Sequence, residues 1–279
     1  MNHIRKKRLR LPKHVSKHVS GTSSQIVTIP YRGNEFVFQI NIPNKLIVAM
    51  EIVPRVLPYS EPVDLSPTEK YGIFYNSIIS DEKQKETLTI FLSAFTYIRN
   101  KLSLNDDEYV DLLVSYVQGL AYDYHRAEVG DVGVYYPVQT IHQNCGICED
   151  MALLLEALLL YSGFDVAHLV FTKENHAMAG IRVRNSTGML GTGYSGIETT
   201  AISLIGEFDQ SHTELEIYPL KSDYGNKIYS SVIENKRILE FMDNSRNPIE
   251  IRERVRKYVS VKNQRKALEI ITSYTGGKI

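Results

Sequence analysis

Apolar and polar side chains alternate along residues 25–31 and again along 35–42, the period of two expected of strands buried on one face. Arg32-Gly33-Asn34 supplies a turn between them, so the pair reads as a hairpin. Prolines at 43, 54, 58, 62 and 67 then punctuate a stretch expected to hold no long helix. From position 68 the period lengthens. Apolar residues at 88, 91, 92, 95 and 98 fall on one stripe of a helix spanning 83–102. Tyr109, Leu112, Leu113, Tyr116, Val117 and Leu120 do the same for a helix over 106–122, with Asn105-Asp106-Asp107 as its start signal. Residues 123–140, with Gly130, Gly133 and Pro137, read as a loop. A third helix begins around Cys145–Cys148 and runs to about Ser162, stopped by Gly163. Two short segments rich in strand formers follow, at 166–171 and 177–184, with a turn at 185–188. Beyond Gly206 the pattern weakens, and residues 228–241 and 248–274 read as charged helices.

Helices first and strands afterwards predict an α+β fold, a helical layer packed on an antiparallel sheet. The pattern divides the chain into four parts. Residues 1–24 are a tail, 25–66 a β-rich extension, 67–205 a core, and 206–279 a mostly helical C-terminal extension. Composition changes this picture in two places. Arg5, Lys6, Lys7, Arg8, Arg10, Lys13 and Lys17 crowd the start, and no acidic residue precedes Glu35. That run reads as a solvated, disordered tail, with a weak electrostatic tether to an anionic surface or nucleic acid as the alternative. Over the whole chain 32 basic residues balance 32 acidic ones, so no specific nucleic-acid partner is expected. No apolar stretch follows the basic run, as a secretory signal requires, and the longest apolar runs are too short to span a bilayer. The expected location is the cytoplasm. The only two cysteines, Cys145 and Cys148, exclude a disulfide framework and fit a reducing compartment.

A thiol attacks carbonyls as the thiolate, and a free cysteine with a pKa of about 8.5 is mostly protonated at neutral pH. The positive end of a helix and a neighbouring imidazolium both favour the thiolate. Gly146-Ile147-Cys148 places Cys148 at such an end, and Gly146 allows a sharp turn there. Glu149 and Asp150 suit a first helical turn, but their charge works against a thiolate, so an imidazole has to supply much of the activation. A buried structural cysteine is the plainer alternative for Cys148.

Gly146-x-Cys148-Glu149-Asp150-x-Ala152, then a leucine-rich helix, Gly163, a strand and Asn175-His176, resembles the transglutaminase-like cysteine enzymes, most closely those of archaea and bacteria. The runs Val117–Asp123 and Tyr136–Thr140 resemble what precedes the cysteine in them, and Ile197-Glu198-Thr199-Thr200 resembles the segment with their third catalytic residue. The resemblance covers about residues 105–205 and implies a papain-like architecture. It also implies that Cys148 forms a thioester, that His176 is its base, and that Glu198 orients the imidazole. Aspartate is commoner at the third position in the family; the extra methylene of Glu198 requires its backbone to sit further back. The oxyanion needs donors, for which the Cys148 backbone N–H and one of Gln118, Tyr122 and Gln143 are the candidates.

His142 and His168 compete with His176, but His168 lies between Val166-Ala167 and Leu169-Val170 and reads as structural. Cys145-Gly146-Ile147-Cys148 is also a C-x-x-C at a helix start, so a dithiol oxidoreductase is the rival enzyme. Cys145 is alternatively a redox partner that switches Cys148 off. A transglutaminase-like binding domain with an idle site is the rival non-enzyme. The expected activity is acyl transfer on a protein or peptide substrate, with hydrolysis of a peptide, isopeptide or amide bond favoured over glutamine–amine transamidation because water is always available. No cofactor or metal is expected: there is no calcium-loop, P-loop or Rossmann pattern. The sequence leaves the oligomeric state open.

Overall fold

Both period-two segments are strands of one antiparallel hairpin in the computed structural model, β1 (Thr22–Tyr31) and β2 (Asn34–Pro43), with Tyr31 opposite Asn34. The structure describes residues 20–31, 34–52, 65–130, 133–184, 188–201, 203, 205–206, 214–221 and 223–230. The basic N-terminal run, Arg32-Gly33 of the expected turn, and the C-terminal helices expected past 230 lie outside these residues. Val27, Ile29, Tyr31, Ile40 and Ile42 of the hairpin are buried. Phe38, opposite Val27, meets the rings of Phe91 and Phe95 at 5.7 and 6.1 Å between centroids. The hairpin therefore contributes to the main core.

Five of the next elements are helices: α1 (Asn44–Ile52), α2 (Pro67–Ile79), α3 (Glu82–Leu102), α4 (Asp106–Val117) and, after the two-residue strand β3 (Ala121–Tyr122), α5 (Tyr124–Val129). Then come α6 (Pro137–Gln143), the two-residue strand β4 (Cys145–Gly146) and α7 (Cys148–Tyr161). Pro67 and Pro137 start helices, because the first helical position needs no backbone N–H. This corrects two readings. Residues 123–140 are not one loop, since α5 and most of α6 fall there. The helix expected to reach 122 ends at Val117, and the chain then turns into β3. Leu120, counted as part of its stripe, is buried beyond the helix end.

The apolar stripe of α3 is inward as expected: Leu88, Phe91, Leu92, Phe95 and Ile98 are all buried. Helix α4 starts on a capping box, in which the Asn105 side chain accepts the Glu108 N–H at 2.9 Å and the Glu108 carboxylate accepts the Asn105 N–H at 2.8 Å. Helix α7 has no solvated face after its first two residues. Asp150 through Leu160 are buried without a break, so it forms an interior axis. It lies between α2, α4 and α6 on one side and a sheet on the other.

That sheet has the order β7-β6-β5-β8, antiparallel throughout, with β5 (Val166–Phe171), β6 (His176–Arg182), β7 (Tyr194–Ile197) and β8 (Leu215–Pro219). The fold is α+β, as the element order predicts. Strand β8 was not anticipated. Lys227 and Tyr229 bridge to Phe164 and Val183, so the chain at 227–230 is extended where a helix was expected from 228. His168 is fully buried on β5, its Nδ1 2.9 Å from Glu156 on α7 and its ring 4.0 Å from that of Tyr75. It is a core residue.

Candidate active site

Cys148 is the first residue of α7, preceded by Ile147 in extended conformation (φ −82°, ψ 174°). Gly146 is required here for a reason other than the turn. A Cβ on it would lie 2.8 Å from the Cβ of Asp150, so the close approach of β4 to the first turn of α7 admits only glycine. The left-handed residue of this corner is Asn144 (φ 53°), which ends α6.

The two acids after Cys148 are turned away from solvent and engaged. Asp150 accepts the Ile147 N–H at 3.0 Å and the Tyr135 N–H, and pairs with the Arg126 guanidinium. Arg126 also donates to the Gly133 carbonyl and lies over the Tyr135 ring, 3.6 Å from its centroid. Glu149 is hydrogen-bonded to Tyr75, and burial pushes its carboxyl above the usual carboxylate range, although His168, Tyr75 and Arg126 act the other way. Asp150 is paired with a cation, and burial raises the pKa of both carboxyls. The first turn thus opposes a thiolate less than the sequence suggests.

His176 opens β6, where it pairs with Phe171 at the end of the β5–β6 hairpin. The β6–β7 register sets Ala179 opposite Ile197. Carried outward, it makes Glu198 a diagonal neighbour of His176 on the same face. His176 Nε2 lies 2.8 Å from Glu198 Oε2. The ring is also hydrogen-bonded to Cys148, which leaves Nδ1 facing the sulfur. The structure thus brings Cys148, His176 and Glu198 together from α7, β6 and the residue after β7. Glu198 Oε1 accepts both the backbone N–H and the hydroxyl of Thr200, at 2.8 and 2.6 Å.

Burial disfavours a charged imidazole, but the hydrogen bonds and negative charges of Cys148 and Glu198 outweigh it and raise the pKa of His176 to about 10. Burial likewise works against the Glu198 carboxylate. The His176 and Thr200 donors prevail and hold it below its ordinary value.

The three oxyanion candidates separate. Tyr122 is paired in β3 with Gly146 of β4, and its hydroxyl accepts the Cys148 backbone N–H. Burial and the charge at Cys148 raise the phenol pKa, so it keeps its proton. Gln118 caps the C-terminus of α4 and donates both amide hydrogens elsewhere, to the carbonyls of Glu198 (2.8 Å) and Ser203 (3.0 Å). Gln143 is exposed at the end of α6. His142 meets the Gln25 side chain at 3.4 Å. Cys145 is a free thiol, as is Cys148, and its sulfur lies 4.0 Å from Asp123 Oδ2. Burial, with Asp123 and Asp150, pushes the Cys145 thiol up. Sequence reading missed Arg126 and Thr200. Thr200 was inside the Glu-Thr-Thr run, whereas Arg126 sits 24 residues from its carboxylate with no local signal.

No curated protein matches the sequence. A family model described as a transglutaminase-like domain matches residues 93–191, a stretch that contains Cys148 and His176 and ends shortly before Glu198. The matched stretch holds α4 to α7, β5 and β6, and the mixed helix-and-strand fold found here is consistent with a domain of that kind.

Proposed function

We propose that the protein is a cysteine-dependent acyl-transfer enzyme that hydrolyses a peptide, isopeptide or amide bond through a thioester on Cys148. The supporting observation is the placement of His176 in hydrogen-bond contact with both Cys148 and Glu198. A side chain in that position takes the thiol proton and keeps it, because Glu198 stabilises the imidazolium.

In this mechanism the thiolate sulfur attacks the substrate carbonyl carbon, and the π electrons move onto oxygen. The donors for that oxyanion are the Tyr122 hydroxyl and the Cys148 N–H, which meets the Tyr122 oxygen in the resting site and passes to the oxyanion as it forms. The tetrahedral adduct collapses with cleavage of the C–N bond, and the amine departs with the proton from His176. Neutral His176 then deprotonates a water molecule, which attacks the thioester. Collapse of this second adduct releases the carboxylic acid and restores the thiolate beside the imidazolium.

Alkylation by iodoacetamide at pH 7 tests the reading. In a Cys145→Ser background, where Cys148 is the sole thiol, labelling is expected to be fast and to slow at least about tenfold on His176→Ala. Equal rates in the two proteins would indicate an idle scaffold.

A further inference from the structure

Glu198 lies just past the last paired residue of β7, so no strand ladder fixes its main chain. Two local contacts restrain its carboxylate through Thr200, only two residues along the chain. Among the described residues, Gln118 ties this segment to the body of the domain, beside the Gly206 N–H bond to the Gly196 carbonyl. Its amide nitrogen donates to the carbonyl oxygens of Glu198 and Ser203 and so links both to the end of α4. Only the NH2 end of the amide satisfies two carbonyl acceptors, so its orientation is determined. Gln118 is itself buried and held by its backbone N–H to the Val114 carbonyl of α4, a core helix.

We infer that Gln118 is a positioning residue that fixes Glu198 against His176, and not an oxyanion donor. Both of its N–H groups are committed, so donation to a substrate oxygen would require release of the loop that carries Glu198. This assignment rests on the acyl-transfer reading for its consequence in catalysis. Its geometry stands apart from that reading.

The test is the titration of His176 followed by NMR of ¹³C-labelled histidine, with the resonance assigned by its loss in His176→Ala. Gln118→Met keeps the length and volume but removes both donors. A positioning role predicts that the His176 midpoint falls by at least about one pH unit from its wild-type value. It also predicts that Cys148 alkylation at pH 7, in the Cys145→Ser background, slows by about tenfold or more. Alkylation needs no oxyanion donor. An unmoved midpoint with unchanged alkylation therefore overturns the proposal, whatever happens to acyl transfer.

Gln118→Glu gives an independent readout if the methionine variant fails to fold. Its carboxyl, buried between two carbonyls, regains one donor when protonated. Its alkylation rate relative to wild type should therefore be higher at pH 5 than at pH 8, and a pH-independent ratio overturns the proposal. Alkylation indifferent to His176 in the parent protein would remove the enzyme reading, and the midpoint would still decide the role of Gln118.

Discussion

Glu198→Gln removes one charge from the site while keeping its shape, and the consequence for His176 can be worked through. The carboxylate 2.8 Å from Nε2 is one of two partners that hold the imidazolium, with a pKa of about 10, against burial. An opposite charge at this range accounts for about 1–3 pH units of such an elevation. The substituted amide adds to the loss when its N–H group faces Nε2, since it then favours a neutral ring with a lone pair there. The His176 midpoint is therefore expected to drop from about 10 by 1–3 pH units, each worth ~1.4 kcal/mol.

The same free energy appears in stability, within a window set by both groups. His176 has a folded pKa above its ordinary 6.5, so its contribution is complete below pH 6.5 and drains away as pH rises toward 10. Glu198 has a folded pKa below its ordinary 4.5, so its contribution is complete above 4.5 and is lost on further acidification. The wild type should exceed Glu198→Gln in stability by about 1.4–4 kcal/mol between pH 4.5 and 6.5, and by less on either side. Urea unfolding at pH 4, 6 and 9, alongside the NMR titration, measures both quantities. A wild-type midpoint near 6.5, or a stability gap that is flat with pH, would refute the reasoning.

Gly146→Ala brings a Cβ to 2.8 Å from that of Asp150 and should cost about 1–3 kcal/mol by urea unfolding, with slower Cys148 alkylation because the strand–helix junction shifts. On the proposed mechanism Tyr122→Phe removes one of two oxyanion donors; turnover of an activated ester should fall ~10²–10³-fold while alkylation stays near the parent rate. Arg126→Met leaves the buried Asp150 without its cation and should destabilise by about 3–5 kcal/mol at pH 7, a loss that lessens as Asp150 is protonated on acidification.

Local periodicity carried the fold a long way. The stripe from Leu88 to Ile98 is buried as read, and β5 spans the predicted residues 166–171. The failures come where long-range pairing decides. Ala121 and Tyr122 have the spacing to continue α4, but the partner strand at Cys145–Gly146 draws them out of it. Strand β8 has the weakly patterned sequence of an edge, and its place beside β5 depends on a partner more than 40 residues away. Pro137 looked like a loop residue until Tyr136 proved to be the position before a helix. At the site, Cys148, His176 and Glu198 were singled out from residue type, order and resemblance, and the structure brings them together. Gln118 was noticed as a candidate oxyanion donor, and its amide meets the carbonyls of Glu198 and Ser203. Nothing in one-dimensional spacing says which carbonyl an amide 80 residues distant will meet.

The ladder of β3 and β4 has only two rungs, Ala121–Cys145 and Tyr122–Gly146. A slip of one rung would send the Tyr122 ring to the opposite side of the ribbon, away from the Cys148 amide. An insertion or deletion between Asp123 and Asn144 would therefore have to be absorbed outside those rungs. Two rungs are thus all the strand pairing that keeps the Tyr122 hydroxyl beside the Cys148 N–H.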